Sequence, residues 1–302
     1  MILWRAPTQR LKSSIRYYYL LRQQIAPQMA VWQPVPARSR QVVEFMLGTP
    51  YRVQRLALKR VEEAHAIALV GVQTHRRVDL LLSGGIDAFG IVFEPGGFQG
   101  LFSLPADELT NSDIDGRCVI GRDAAELHEQ LAAAATFDDR VRVADQLLGV
   151  RGPVLAPVTP ALWAARELHS RRGRTRVADL AAAVELSVRQ FERVFRREVG
   201  MPPKHYARVI RFEAALRARA AHPERPWTGI AHALGYFDQM HMVHDFNWLS
   251  GESPTRIGDR LDMFVQVEVA AEAIESAPIA GPRPSVPPRG LEAAPRLLHP
   301  GV

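Results

Sequence analysis

VADLAAAVELSVRQFERVFRREVG, residues 177–200, and WTGIAHALGYFDQMHMVHDFNWLSG, residues 227–251, decide how this chain folds. Each reads as a short helix, a turn and a second helix, and the two begin fifty residues apart. In the first, Val177, Leu180, Ala181 and Val184 fall at i, i+3, i+4 and i+7, which gives one helix a buried stripe. Ala181 is small where the next helix must cross closely. Ser187 then opens that helix as N-cap, and Gln190 three residues on completes a capping box. Phe191, Val194 and Phe195 form its inner face. Arg189, Glu192, Arg193, Arg196 and Arg197 are left outside, long side chains able to reach base edges or phosphates from a helix lying in a major groove. On an isolated helix the same residues would read as a solvated face. Glu185 occupies the turn, where a glycine would permit positive φ without strain, so this turn is expected to differ in geometry from the second.

The second motif has that glycine. Gly235 follows Ala231 by four, Tyr236 locks the next helix, and Asp238 is its N-cap. Met242 and Phe246 face inward, with Trp248 or Leu249 closing the core. Gln239, Met240, His241, Val243, His244 and Asn247 fall on or near the outside, where glutamine can pair with adenine and methionine or valine can touch a thymine methyl. This face is the less cationic of the two and should release fewer counterions. His241, His244 and Asp245 carry metal-binding chemistry, but no further ligands accompany them and no metal site is expected. Between the motifs PKHYARVIRFEAALRARAA, residues 203–221, reads as a helix with Tyr206, Ile210 and Phe212 inward, ended by His222-Pro223. About 18 residues at ~1.5 Å each span ~27 Å, close to the ~34 Å between major-groove faces one DNA turn apart once helix widths are added. Such a connector is a rigid ruler.

Charge concentrates on the same stretch. The 302 residues carry a formal net charge of +6, and residues 161–260 hold 17 basic and 11 acidic residues, leaving 21 of each sign elsewhere. Nearly all the cations are arginine, since Lys12, Lys59 and Lys204 are the only lysines. Arginine's flat, forked donor set suits phosphate and guanine. A hydrophobic content of 47% belongs to an ordinary globular protein, and no run of about 18 uncharged apolar residues or N-terminal signal core is present, so a cytoplasmic protein is expected. The single cysteine, Cys118, excludes an intramolecular disulfide and is expected to be partly buried.

Before the helical stretch the pattern changes. IRYYYLL (residues 15–21) and VVEFML (42–47) suit strands, and WQPVPARSR (32–40) reads as loop. Residues 64–94 predict three short strands, with Ser83-Gly84-Gly85 as a hairpin turn. Helices should follow at 97–104, 123–135 and 138–148. Three prolines between residues 153 and 160 mark a linker, the apolar run from Leu261 to Ala273 predicts one more helix, and the Pro- and Gly-rich residues 276–302 read as a disordered tail. The expected fold class is therefore α+β: a β-rich domain with closing helices at 1–150, a linker at 151–160, and an all-α domain of two helix-turn-helix units joined by a long helix at 161–262.

Residues 161–260 resemble the AraC/XylS family of transcriptional regulators. LAAAVELSVRQFERVFRREVGMPPKHY is similar to the family's first unit, with Phe195, Gly200 and Tyr206 in place, and Arg211, Phe212 and Ala215 match its connecting helix. IAHALGYFDQMHMVHDF followed by GESP resembles its signature through Gly235, Tyr236, Asp238, Gln239, Phe246, Gly251 and Pro254. The resemblance implies base contacts by Arg189, Glu192 and Arg193 in one unit and by Gln239, Met240, His241 and His244 in the other. Ala218 and Arg219 depart from the family's leucines, and His244 stands where arginine is common. Residues 70–98 resemble the cupin-like sensor domains that precede this unit in some members.

The expected function is sequence-specific DNA binding that regulates a promoter, with no enzymatic activity. Expected partners are double-stranded promoter DNA, RNA polymerase, a small-molecule or other effector and a second copy of the chain; no cofactor and no membrane are expected. A cupin-type metal enzyme would have only His65 and His75 as nearby ligands, and a DNA-repair regulator of the Ada type would need a cysteine cluster. A protein-interaction module remains the third alternative, which salt-dependent DNA affinity would exclude.

Overall fold

The computed structural model describes residues 1–26, 28–150 and 158–259. In chain order its strands are β1 (Ile2–Arg5), β2 (Ile15–Gln24), β3 (Val31–Val35), β4 (Val42–Met46), β5 (Arg52–Arg55), β6 (Arg60–Glu63), β7 (Ile67–Val70), β8 (Val78–Leu82), β9 (Gly85–Phe93) and β10 (Asp113–Asp115). They form two antiparallel sheets, ordered β1-β2-β9-β4-β7-β10 and β3-β8-β5-β6. Side chains alternate across a strand, and β2 uses both faces. Tyr17, Tyr19 and Leu21 join Val42, Met46, Val53, Leu80 and Leu82 in a core between the sheets. Tyr18 and Leu20 point the other way, with Val43, Phe45, Phe89 and Ile91, into a second core under helices.

Those helices are α1 (Gly97–Phe102), α2 (Arg117–Ile120), α3 (Asp123–Ala133) and α4 (Phe137–Val150). Leu127, Leu131, Val141, Ala144 and Leu148 close the outer face of the larger sheet. The three helices expected here are α1, α3 and α4. The strands expected at 15–21 and 42–47 are β2 and β4, and the three expected at 64–94 are β7, β8 and β9.

Two expectations are corrected. Residues 83–85 do not close a hairpin, because β8 pairs with β3 and β5 while β9 pairs with β2 and β4. Gly84 takes φ +69 and turns the chain from one sheet to the other, with its carbonyl accepting from the Ile25 N–H at 2.9 Å. Of residues 32–40, expected as loop, the first four belong to β3 at the edge of the smaller sheet, where Pro34 does not interrupt an inner ladder.

The remaining helices are α5 (Pro160–Ser170), α6 (Val177–Ala183), α7 (Val188–Val199), α8 (Pro203–Ala221), α9 (Trp227–Ala233), α10 (Gln239–Ser250) and α11 (Pro254–Asp259). Thr159 caps α5 by accepting from the Leu162 N–H at 3.2 Å. Leu168, Leu180, Phe191, Phe195, Tyr206, Ile210, Phe212, Ile230, Met242, Phe246 and Leu249 make one continuous core, so Leu249 closes it and Trp248 stays exposed. Ala37 and Val72 enter that core from the β-rich part. The expected linker up to residue 157, the expected helix after Leu261 and the expected tail lie outside the described residues. No helix among the described residues is long and apolar enough to cross a membrane.

Candidate nucleic-acid interface

The two units share a backbone. Helices α6 and α9 are offset by 50 residues, while α7 and α10 are offset by 51. In both turns one residue is left-handed, Glu185 at φ +56 and Gly235 at φ +72. The hydrogen bonds also correspond: Glu185 N–H donates to Ala182 at 3.1 Å and Leu186 N–H to Ala181 at 3.0 Å, as Gly235 donates to His232 at 3.1 Å and Tyr236 to Ala231 at 3.0 Å. The difference in turn geometry expected from Glu185 is therefore not found. Helix packing around Leu186 and those two bonds fix the backbone, and the glutamate carries a strain of about 1–2 kcal/mol with its side chain in solvent.

Capping follows the sequence. Ser187 Oγ accepts from the Gln190 N–H at 3.3 Å and Gln190 Oε1 accepts from the Ser187 N–H at 3.1 Å. Asp238 Oδ1 accepts from the His241 N–H at 2.7 Å. Gly200 and Gly251 end α7 and α10 in the left-handed conformation, at φ +92 and +74. Between the Tyr236 lock and the Asp238 cap lies the extra residue of the second unit, Phe237.

Arg189, Glu192, Arg193, Arg196 and Arg197 are all exposed on α7, and Gln239, Met240, His241, His244 and Asn247 are all exposed on α10. Among the described residues none of the four α7 guanidiniums pairs with a carboxylate. They border an open cleft of about 970 Å³ whose far side carries Gln99 of α1 and Asp107. The 51-residue offset aligns Arg189 with Met240, Arg193 with His244, Arg196 with Asn247 and Arg197 with Trp248. Every arginine of the first face thus has a different residue type opposite it in the second.

Several positioning residues escape local reading. Asp245 is buried and takes bonds from Arg208 Nε at 3.0 Å and Nη2 at 2.8 Å, so an ion pair ties α10 to α8. The available signal is a carboxylate within the stripe Met242, Asp245, Phe246, Leu249. His241 and His244 are exposed while Asp245 points inward, so the three do not converge. Arg219 lies over the Trp227 ring at 5.5 Å and Arg211 over Tyr236 at 5.2 Å; the first contact replaces what a leucine at residue 219 would pack.

The β-rich part also holds both units. Buried Glu213 of α8 accepts from Ser39 N at 2.7 Å and Ser39 Oγ at 2.8 Å. His205 Nε2 donates to the Thr74 carbonyl at 2.7 Å, and His75 packs on Trp248 with ring centroids 5.6 Å apart. Thr110 Oγ1 donates to the carbonyl of Gly200 at the end of α7, and Ala37 N donates to that of Leu249 in the last turn of α10 at 2.8 Å. Donors from the β-rich part therefore satisfy carbonyls at the C-terminal ends of both outer-face helices. Burial pushes the pKa of His205 below the ordinary histidine value. His169, near Ser39 and Arg40, is lowered further by desolvation and then by Arg40 and Arg217.

His65 lies near Asp115 and His75 against Trp248, so the two histidines of the metal-enzyme alternative have separate surroundings. Among the described residues no group of three or more His, Cys, Asp or Glu could hold a metal ion. Cys118 is exposed, not partly buried as expected, because its short helix α2 presents Arg117 and Cys118 outward and buries Ile120.

Comparison with known proteins divides the chain in two. A helix-turn-helix domain family matches residues 180–260, and a domain of unknown function (DUF6597) matches residues 5–115. No curated protein matches. Among solved structures the chain is similar to ToxT from Vibrio cholerae O395, at 12% identity and a TM-score of 0.48 over 83% of this chain and 99% of that one. It is similar to unsaturated fatty acid-bound ToxT from Vibrio cholerae strain SCE256, at 9% identity and a TM-score of 0.48 over 82% and 95%. The AraC-like transcriptional activator CuxR matches at 14% identity and a TM-score of 0.20 over 77% and 90%. Residues 180–260 therefore belong to a helix-turn-helix domain family, on the same stretch whose motifs resemble the AraC/XylS regulators.

Proposed function

We propose that this regulator places α7 and α10 in successive major grooves of a promoter, with Arg189, Glu192, Arg193, Arg196 and Arg197 contacting one half-site and Gln239, Met240, His241, His244 and Asn247 the other. The observation that carries the reading is the pair of capped, outward-facing helices on one 19-residue connector, α8. Residues 161–262 act as the DNA-binding unit. Residues 1–150 act as a sensing and dimerising unit, and RNA polymerase is the partner on the promoter.

The contacts of Ser39, Thr74, Ala37 and Thr110 with the helical part support a route from effector to DNA. An effector that shifts the β-rich part moves donors bonded to α8 and to the ends of both recognition helices, and so biases their spacing. A small organic acid is one candidate class, since ToxT has been solved bound to an unsaturated fatty acid. Selection of duplexes from a random pool by the full chain tests the proposal. Two enriched half-sites about one helical turn apart are expected; an unenriched pool overturns it.

A further inference from the structure

The extra residue of the second unit has no role in its fold. Phe237 is 92% exposed, between a buried tyrosine and an N-cap aspartate. The large apolar side chains exposed in the described helical part are Val188, Phe237, Met240 and Trp248. All four lie on α7 or α10 or lead directly into α10. Trp248 packs on His75, which leaves Val188, Phe237 and Met240 at the N-terminal ends of α7 and α10, where an exposed apolar side chain is available to a bound partner. Phe237 and Met240, which is 60% exposed, flank the N-terminus of α10 beside Gln239. That is the end of a recognition helix that meets base edges.

Chemistry selects the bases. This face lacks the arginines that would seek guanine, and Gln239 presents an amide suited to adenine N6 and N7. The thymine paired with that adenine places its C5 methyl in the same groove, where an aromatic or thioether side chain can cover it. We infer that Phe237, with Met240, is a specificity-determining apolar contact to thymine methyl groups, and that the half-site under α10 is rich in A·T pairs. The inference rests on the DNA-binding function proposed above.

The test uses the full chain and its selected duplex. Phe237→Ala is expected to weaken binding about tenfold or more, from the burial a phenylalanine ring gives up, with unchanged far-ultraviolet circular dichroism and unchanged affinity for unselected DNA. Replacing thymines one at a time by uracil, which removes only the methyl, should weaken wild-type binding at one or two positions of the α10 half-site. At those positions the variant should lose nothing further. Equal affinity of variant and wild type, or a uracil profile unaltered by the substitution, overturns the inference while the DNA-binding function stands. Unchanged affinity with loss of transcript from the selected promoter would assign Phe237 to a protein partner and also overturns it. A wild-type chain that selects no sequence removes the DNA-binding function and this inference together.

Discussion

On the outer face of α7 four arginines meet solvent; at the corresponding positions of α10 stand Met240, His244, Asn247 and Trp248. Beneath those faces the two units have the same left-handed turn, the same pair of turn hydrogen bonds and the same glycine end. Inner stripe, cap and turn fix where a recognition helix lies, and nothing in them constrains the residues pointing away. One framework can therefore carry a reader held largely by phosphate charge and a reader held by amide and apolar contacts. The first gives affinity that salt erodes, and the second gives discrimination that salt leaves nearly untouched.

The largest expected effect breaks the comparison if it is absent. Replacing Arg193, Arg196 and Arg197 together by glutamine should weaken binding to the selected duplex about a hundredfold near 0.15 M salt and flatten the log-affinity against log-salt slope by up to about three. His244→Ala with Asn247→Ala should leave that slope within about half a unit. Anisotropy titrations across a salt series read both, and equal slopes would abolish the division of labour.

A smaller effect concerns the shared turn. Gly235→Ala should cost about 1–2 kcal/mol of stability, since a Cβ there would make only an ordinary contact with the Arg174 side chain at 3.7 Å and only the positive φ opposes it. Glu185→Gly should stabilise by up to about 1 kcal/mol, strain relief being offset in part by glycine's greater chain entropy. Denaturant midpoints at constant m-value compare the two. If Glu185→Gly destabilises, the two turns are not equivalent in energy.

The smallest effect is set by pH. His205 has a folded pKa below that of the free side chain, so the unfolded chain binds more protons once pH falls below about 6.5. Stability conferred by this docked histidine is complete above that pH and declines as pH drops toward the folded value. His169 acts in the same direction. A melting temperature flat above pH 7 and falling below about 6.5 is expected, with His205→Gln reducing the fall. An identical profile in that variant would show that the first unit's junction does not titrate through His205.

The helical part was legible because its determinants are local. Ser187 with Gln190, Asp238, Gly235 and the inner stripes each act over a few residues. The sheets were legible where aromatic and aliphatic residues run together, as in β2 and β9, which bury both faces. The edge strand β6 and its neighbour β5 are RVEE and RVQR, with few apolar residues and charged side chains in the sequence, and they announce no strand. Gly84 announced a turn but could not say which strands would flank it in space. Arg208 with Asp245 and Ser39 with Glu213 are 37 and 174 residues apart, so only the fold brings them together. The outer faces were readable as exposed, and their bases are set by a partner outside the chain.

The bonds from Thr110 to Gly200 and from Ala37 to Leu249 have a mechanical consequence. Carbonyls at a helix end are groups that water can also satisfy, so losing a protein donor there costs only about 1 kcal/mol net. Few apolar side chains reinforce these points; Ala37 and Val72 are both small. At these two helix ends the fastening is therefore one that solvent can replace, so α7 and α10 keep their own helical bonds whether or not it is made, while the buried Ser39–Glu213 pair holds α8.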